Sequence, residues 1–291
     1  MQVNADMHFL GRLEKYLSEK PYSLRYPPSD KIPQSNVERE KHILTITSIR
    51  GLGDLGIDTY GFDVIILNSK MKYEDFSSEE SIKSIYLSES CETLRKHLNA
   101  KWVVPFDFAV RRRHSSFPIS TGEDYEADQP TAMAHIDFSN QEGARLLRRM
   151  FGDRAGDILK DDWKIVNTWK PLRGPVNDWP LALCDSRTIS HTQDTMAGDI
   201  VYPDWFTENV QVQYSPGQQW YYLPDHATNE VIIFKSAESN ASRVQSTPHA
   251  SFYNPLVKKD EPPRESIDCR FFVLYSDLED LPLTIDNVAS M

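Results

Sequence analysis

Two short motifs, more than a hundred residues apart, carry the residue types of a metal-dependent oxidation centre. His135-Ile136-Asp137 lies inside the stretch Thr131 to Ser139, and Thr247-Pro248-His249 is followed fifteen residues later by Arg264-Glu265-Ser266. The set amounts to two imidazoles, one carboxylate and an Arg-x-Ser pair. A mononuclear non-haem Fe(II) site needs two neutral His and one carboxylate on one face of the ion, with the remaining positions open for a cosubstrate and O2. A cosubstrate such as 2-oxoglutarate carries a distal carboxylate, which an Arg fork grips in a bidentate way that a Lys point charge does not reproduce.

The elements that must position these groups follow from strand periodicity. Residues i and i+2 of an extended strand point to one side, so His135 and Asp137 can converge on one ion while Ile136 faces away. The Pro-rich connection from Phe252 to Pro263 predicts a turn between the His249 strand and a returning strand from Glu265 to Tyr275. The expected geometry puts the last metal ligand on one strand and the cosubstrate anchor Arg264, assisted by Ser266, on its neighbour. A His-x-Asp tripeptide alone fits an ordinary surface or core position equally well; the downstream His and the Arg-x-Ser give the set its meaning.

The wider context resembles a fungal hydroxylase/desaturase family of non-haem Fe(II)/2-oxoglutarate-dependent oxygenases, with cephem-methoxylase-like, aspergillic-acid-type and gibberellin-desaturase-like members. The signature block runs from Asn167 to Asp185 (NTWKPLRGPVNDWPLALCD), and DTYGF at 58–62, WYYLPD at 220–225, EVIIFK at 230–235 and PPRESI at 262–267 match in the same order. The resemblance spans about residue 43 to Tyr275. It implies a double-stranded β-helix that binds Fe(II), with 2-oxoglutarate and O2 as cosubstrates, His135, Asp137 and His249 as ligands and Arg264 at the cosubstrate position. It further implies oxidative decarboxylation to succinate coupled to attack on an unactivated C–H bond of a secondary metabolite. His226, just after Pro224-Asp225, departs from the pattern and is expected on the substrate side or the surface, outside the ligand set, as is His191.

Composition agrees. The 291 residues carry 32 basic and 43 acidic side chains, a net charge of −11, which is a poor basis for tracking a phosphate backbone. Nucleic acid is therefore excluded as a partner, and Arg111-Arg112-Arg113 and Arg145, Arg148 and Arg149 are assigned to a solvated rim and helix face. Cys91, Cys184 and Cys269 are odd in number and widely spaced, which points to free thiols in a reducing, cytoplasmic compartment. No apolar signal core and no run of about twenty apolar residues argue against a leader or a membrane partner. The expected partner is a small natural-product substrate; a homo- or heterodimer is left open.

Short strands with Gly/Pro punctuation predict a mainly β fold with helical additions around a jelly-roll, cupin-like core. The expected layout is one oxygenase domain over 1–291, with 1–114 an N-terminal elaboration packed on the barrel and 130–276 the catalytic core. Phe9, Leu10, Leu13, Tyr16 and Leu17 suggest an amphipathic N-terminal helix, and Ser23 to Glu40 a surface arm. Helices are expected at Ser78 to Leu98, after the Ser139 cap, and over Arg154 to Asp161. Strands are expected at 43–49, 63–67, 102–110, 164–169, 181–189, 210–214, 219–223, 231–235, 243–246 and 267–275. The polar segment Ser115 to Gln129 reads as a surface loop or a lid over the substrate mouth.

Barrel alternation makes Tyr222 and Lys235 further cosubstrate candidates, with only one of Tyr221 and Tyr222 able to face inward. Arg173, Trp179 and Arg270 are substrate-pocket candidates, although Asp178-Trp179-Pro180 also suits a structural turn and Arg270 a buried ion pair. Two rival functions remain: a non-catalytic scaffolding or binding paralogue on the same fold, and a cupin metalloenzyme that does not use 2-oxoglutarate. The intact His135, Asp137, His249 and Arg264 set argues against both.

Overall fold

The computed structural model describes residues 1–28, 31–119, 125–279 and 281. Two sheets form its frame. The larger has nine strands: β1 (Gln2–Leu10), β3 (Arg39–Ser48), β11 (Trp220–Tyr222), β8 (Leu181–Cys184), β13 (His249–Ser251), β6 (His135–Ile136), β10 (Phe206–Val212), β9 (Thr195–Val201) and β2 (Tyr22–Leu24), in that spatial order. The smaller runs β4 (Phe62–Ile66), β12 (Glu230–Glu238), β7 (Trp163–Pro171), β14 (Glu265–Leu274) and β5 (Trp102–Arg112).

Strand alternation sorts the core. Trp169, Ile232 and Phe234 of the smaller sheet meet Leu181 and Leu183 of the larger, and Leu223 just after β11, in the interior between them. Ala182, Cys184, Trp220 and Tyr222 face the other way and pack with Ile136, Ala250 and Phe252. Every residue of β7 is buried, because its second face is covered as well as the interior one. That cover is the helical run α1 (Glu79–Ser81), a π turn (Ile82–Leu87) and α2 (Ser88–His97), with Ile82, Tyr86, Leu87 and Leu94 packed on Val166, Cys269, Phe271 and Val273. Helix α3 (Asn140–Phe151) starts where expected, with Ser139 Oγ accepting from Glu142 N at 3.0 Å.

Several expectations are corrected. The N-terminus is a strand, not an amphipathic helix: Val3, Ala5, Met7 and Phe9 are buried at period two, and β1 pairs antiparallel with β3 from Gln2–Thr47 to Leu10–Arg39. The apolar positions expected to form a helix begin at the last two residues of β1, and only Glu14–Leu17 turns, as a short 3-10 helix. Within residues 1–114, β1, β2 and β3 extend the larger sheet and β4 and β5 form the edges of the smaller one. The segment 243–246 forms no strand, and β9, whose TMAGDIV sequence breaks alternation with Gly198 and Asp199, is an additional one.

Candidate active site

His135 occupies the two-residue strand β6, which is held between β13 and β10 by the pairs His249–His135 and Gln211–His135. Placing the two imidazoles opposite one another on adjacent strands brings their ring centres to 4.4 Å. Asp137 lies two residues on and reaches the same point. His135 Nε2 is 3.2 Å and His249 Nε2 3.6 Å from Asp137 Oδ1, and one ligand atom from each of the three lies within 4.8 Å of the others.

The atoms around this triad fix which faces it presents. His135 Nδ1 is 2.8 Å from the Met133 carbonyl and His249 Nδ1 is 3.2 Å from the Thr247 carbonyl. Each Nδ1–H donates to backbone, so each Nε2 keeps its lone pair free for a metal. Asp137 Oδ2 accepts from Asn167 Nδ2 at 2.7 Å and from Arg270 Nε at 2.9 Å, which leaves Oδ1 as the ligand atom. Burial opposes ionisation of Asp137, but Arg270 and the two imidazoles outweigh it and hold the carboxyl well below the usual carboxylate range. Burial and the neighbouring imidazole of His135 keep the His249 pKa down. A charged carboxylate and two imidazoles that present Nε2 are the donor set that a borderline divalent cation such as Fe(II) takes.

Arg264 is 2% exposed, yet its guanidinium faces no carboxylate within ion-pairing distance among the described residues. Its Nη1 donates to the Trp179 carbonyl at 2.6 Å and to Ser251 Oγ at 2.7 Å, its plane lies 5.1 Å from the Trp169 ring, and its Nε has no partner. Burial, reinforced by Arg111, pulls it down to about 9, the mark of a cation without its counter-anion. Arg264 lines one chamber with His135, Asp137, His249, Trp169 and Phe234. A buried cation with an unused donor edge beside a three-ligand metal site fits a chelating dicarboxylate.

The strand assignment behind this geometry differs from the expectation. β13 and β14 are not neighbours: they belong to opposite sheets, and the Arg264–Ser251 hydrogen bond spans the interior between them. Ser266 Oγ is buried without a partner and does not line the chamber.

Three candidates fall elsewhere, and two histidines lie outside the triad as expected. Lys235 is fully buried, but its Nζ is held by Asp58 at 2.6 Å and by Glu238 and the Val244 carbonyl at 2.8 Å, away from the chamber. Tyr222 faces the other side of the larger sheet and packs on Phe252; Tyr221 is the inward member of the pair, against Tyr60 and Phe62. Arg173 lies over the Tyr73 ring at 4.0 Å with its side chain 54% exposed. His226 and His191 are absent from the triad: His226 Nε2 meets the Glu230 carbonyl at 2.9 Å and its ring packs on Trp169.

Trp179 gives its carbonyl to Arg264 and has φ +44°, while its ring meets Phe117 and Tyr253. Arg270 lines the cavity over the triad and is at the same time held in ion pairs with Asp137, Asp107 and Asp268. The arginine tripeptide is not a solvated rim. Arg111 Nε is 2.7 Å from Asp268 and Arg113 Nε 2.6 Å from Asp178, whose Oδ2 also accepts from Arg264 N. Asn167, Asp107 and Asp268 were not singled out in the sequence; their signal is period-two placement on β7, β5 and β14.

Outside the triad, a cavity of about 740 Å3 opens over His135 and Asp137. Its walls come from β9 and β10, from Arg111, Asp128 and Arg270, and from the arm between Pro21 and Arg39. The segment taken as a surface arm is therefore a pocket wall. Of the loop Ser115 to Gln129, residues 120–124 lie outside the described residues; Phe117 packs on Trp179 and Asp128 bridges to Arg111.

A two-sheet jelly roll with this triad beside a buried anion-seeking arginine defines a mononuclear non-haem metal oxygenase. The chain is 28% identical over 257 residues (86% of this chain, 89% of that protein) to the Fe(II)/2-oxoglutarate-dependent dioxygenase nvfI of Aspergillus novofumigatus. It is 28% identical over 247 residues (78% and 81%) to the hydroxylase/desaturase efuI of Hormonema carpetanum. Among solved structures, a variant of the iron and alpha-ketoglutarate-dependent endoperoxidase NvfI superposes with a TM-score of 0.82 at 25% identity, covering 95% of this chain and all of that one. A family model described as an oxidoreductase/YMDC permease-like domain matches residues 7–274, and the chain belongs to that family. With these relatives, it is one of the fungal Fe(II)/2-oxoglutarate-dependent dioxygenases and hydroxylase/desaturases. Among the described residues no helix is long and apolar enough to cross a membrane.

Proposed function

We propose that the protein is an Fe(II)/2-oxoglutarate-dependent oxygenase acting as a hydroxylase, desaturase or oxidative cyclase on a fungal secondary metabolite. The observation that carries this reading is the buried Arg264, which has no carboxylate partner among the described residues, in the same chamber as His135, Asp137 and His249. The three side chains would hold Fe(II), and Arg264 would take the distal carboxylate of 2-oxoglutarate. When bound, the iron and cosubstrate supply the oxidising power for C–H cleavage. The chain's own residues do the rest. Asn167 and Arg270 aim Asp137, the Met133 and Thr247 carbonyls set both imidazole tautomers, and Trp169 and Phe234 keep the chamber dry.

The polar loop 115–129 is proposed as part of the substrate mouth, anchored through Phe117 and Asp128. The three free cysteines fit a reducing cytoplasm; burial pushes the Cys91 and Cys184 thiols up to about 12. One assay tests the function. Anaerobically reconstituted protein should bind one Fe(II), then release succinate from 2-oxoglutarate on admission of O2. Iron binding without succinate would favour the cupin alternative, and neither would favour a scaffolding paralogue.

A further inference from the structure

Strand β10 lies against the metal strand, with Gln211 paired to His135. Alternation puts Thr207, Asn209 and Gln211 on one face, and all three line the 740 Å3 cavity. They are 6%, 7% and 9% exposed, a row of buried polar side chains in a place where apolar residues would pack at less cost. Thr207 is satisfied, donating to Glu142 Oε1 at 3.0 Å. The two carboxamides satisfy each other only once, through Gln211 Nε2 to Asn209 Oδ1 at 3.1 Å. Among the described residues, Asn209 Nδ2 and Gln211 Oε1 have no protein partner. Exchanging N and O in both amides reverses the roles and still leaves one donor and one acceptor.

The neighbouring strand is shaped around this pair. A β-carbon at Gly198 would stand 3.1 Å from Asn209 Oδ1, 3.1 Å from Gln211 Cγ and 3.3 Å from the Pro21 carbonyl. Gly198 leaves room for the amides and for the arm that covers them.

We infer that the substrate presents a secondary amide edge, a carbonyl beside an N–H as in a lactam or diketopiperazine, to Asn209 and Gln211. The substrate carbonyl accepts from one carboxamide and its N–H donates to the other, completing both. A cis amide offers the two functions side by side, as the i, i+2 carboxamides require, whereas a lone hydroxyl must serve both from one oxygen. Leu24, Val37, Phe138 and Ile200 then cover the remaining apolar skeleton. This assignment rests on the oxygenase reading of the same site and adds what the site selects.

The test uses cyclo(L-leucyl-L-phenylalanyl) and its N,N′-dimethyl derivative as probes, titrated calorimetrically into full-length protein loaded with Mn(II) and 2-oxoglutarate. Wild type should bind the unmethylated ring about tenfold or more tightly than the methylated one, the usual consequence of leaving a buried polar group unpaired. Gln211→Leu and Gly198→Ala, the latter retaining both amides but crowding them, should each abolish that preference. Equal affinity for the two rings in wild type, no binding of either, or a preference that survives in both variants overturns the inference. If the variants fail to fold, the wild-type comparison decides alone. Mn(II) and 2-oxoglutarate binding, measured first, separates the readings: its absence sinks the oxygenase assignment rather than the amide one.

Discussion

Arg270 Nε lies 2.9 Å from Asp137 Oδ2, the oxygen turned away from the two imidazoles. The same guanidinium reaches Asp107 and Asp268, so one cation bridges three buried carboxylates, of which only Asp137 belongs to the metal triad. Its service to the metal is orientation.

Arg270→Gln should therefore weaken metal affinity about 10- to 100-fold, the range for losing a hydrogen-bond partner of a ligand. Fe(II) or Mn(II) titration of the variant checks this. Unchanged affinity would mean that Asn167 alone holds Asp137.

Arg264→Ala should spare metal binding and cost 2-oxoglutarate about two orders of magnitude or more in affinity, since losing one partner of a buried charge pair costs about 3–5 kcal/mol. Arg264→Lys should recover only part of that, because an ammonium cannot donate to Ser251 and the Trp179 carbonyl while offering a fork to the ligand. The readout is the apparent KM for 2-oxoglutarate alongside the metal titration. Equal KM in wild type and Arg264→Ala would remove Arg264 from the cosubstrate site.

The four residues His135, Asp137, His249 and Arg264 were legible in the sequence because their chemistry is specific and strand period two says which neighbours share a side. The sheet to which each strand belongs was not legible: nothing local in Glu265 to Tyr275 says that it pairs with β5 and β7 instead of the His249 strand. Face assignments failed where register was unknown. Tyr221 and Tyr222 differ by one residue and face opposite cores, and β12 carries an irregularity just after Lys235. Arg111 to Arg113 look like surface because three consecutive cations usually are. At the end of β5 they alternate, Arg111 toward Asp268, Arg112 toward Glu265 and Arg113 toward Asp178.

The DTYGF segment supplies a further prediction through Gly61, which sits at φ +91°. A β-carbon there would fall 2.4 Å from both Ser186 Oγ and Thr247 Oγ1. The Gly61 carbonyl accepts from Thr247 Oγ1 at 2.7 Å, and Thr247 in turn holds the His249 imidazole. Gly61→Ala combines left-handed backbone strain with a clash against two packed side chains, about 2–4 kcal/mol of destabilisation. Chemical denaturation should show that loss, and metal affinity should fall with it. A variant as stable as wild type would mean that the backbone relaxes freely there.

His226 gives a pH dependence with a definite sign. It is 1% exposed, its Nε2–H donates to the Glu230 carbonyl at 2.9 Å, and burial lowers its pKa from 6.5 to about 4. Below pH 6.5 the unfolded chain takes up a proton that the folded chain refuses, so stability is full above that pH and is lost as pH falls toward 4. The shift corresponds to a loss on the order of 3 kcal/mol that is complete only once the pH is below about 4. Many carboxylates also titrate in this window, so the informative quantity is the difference between wild type and His226→Gln. The glutamine can keep a donor on the Glu230 carbonyl but does not titrate. Melting temperatures measured between pH 7 and pH 4 should show the variant less stable or equal at pH 7 and progressively favoured as the pH drops. Parallel curves for the two proteins would show that His226 takes up its proton in the folded state as readily as in the unfolded one. The ring packed on Trp169 would then be reached by water from the Glu230 side.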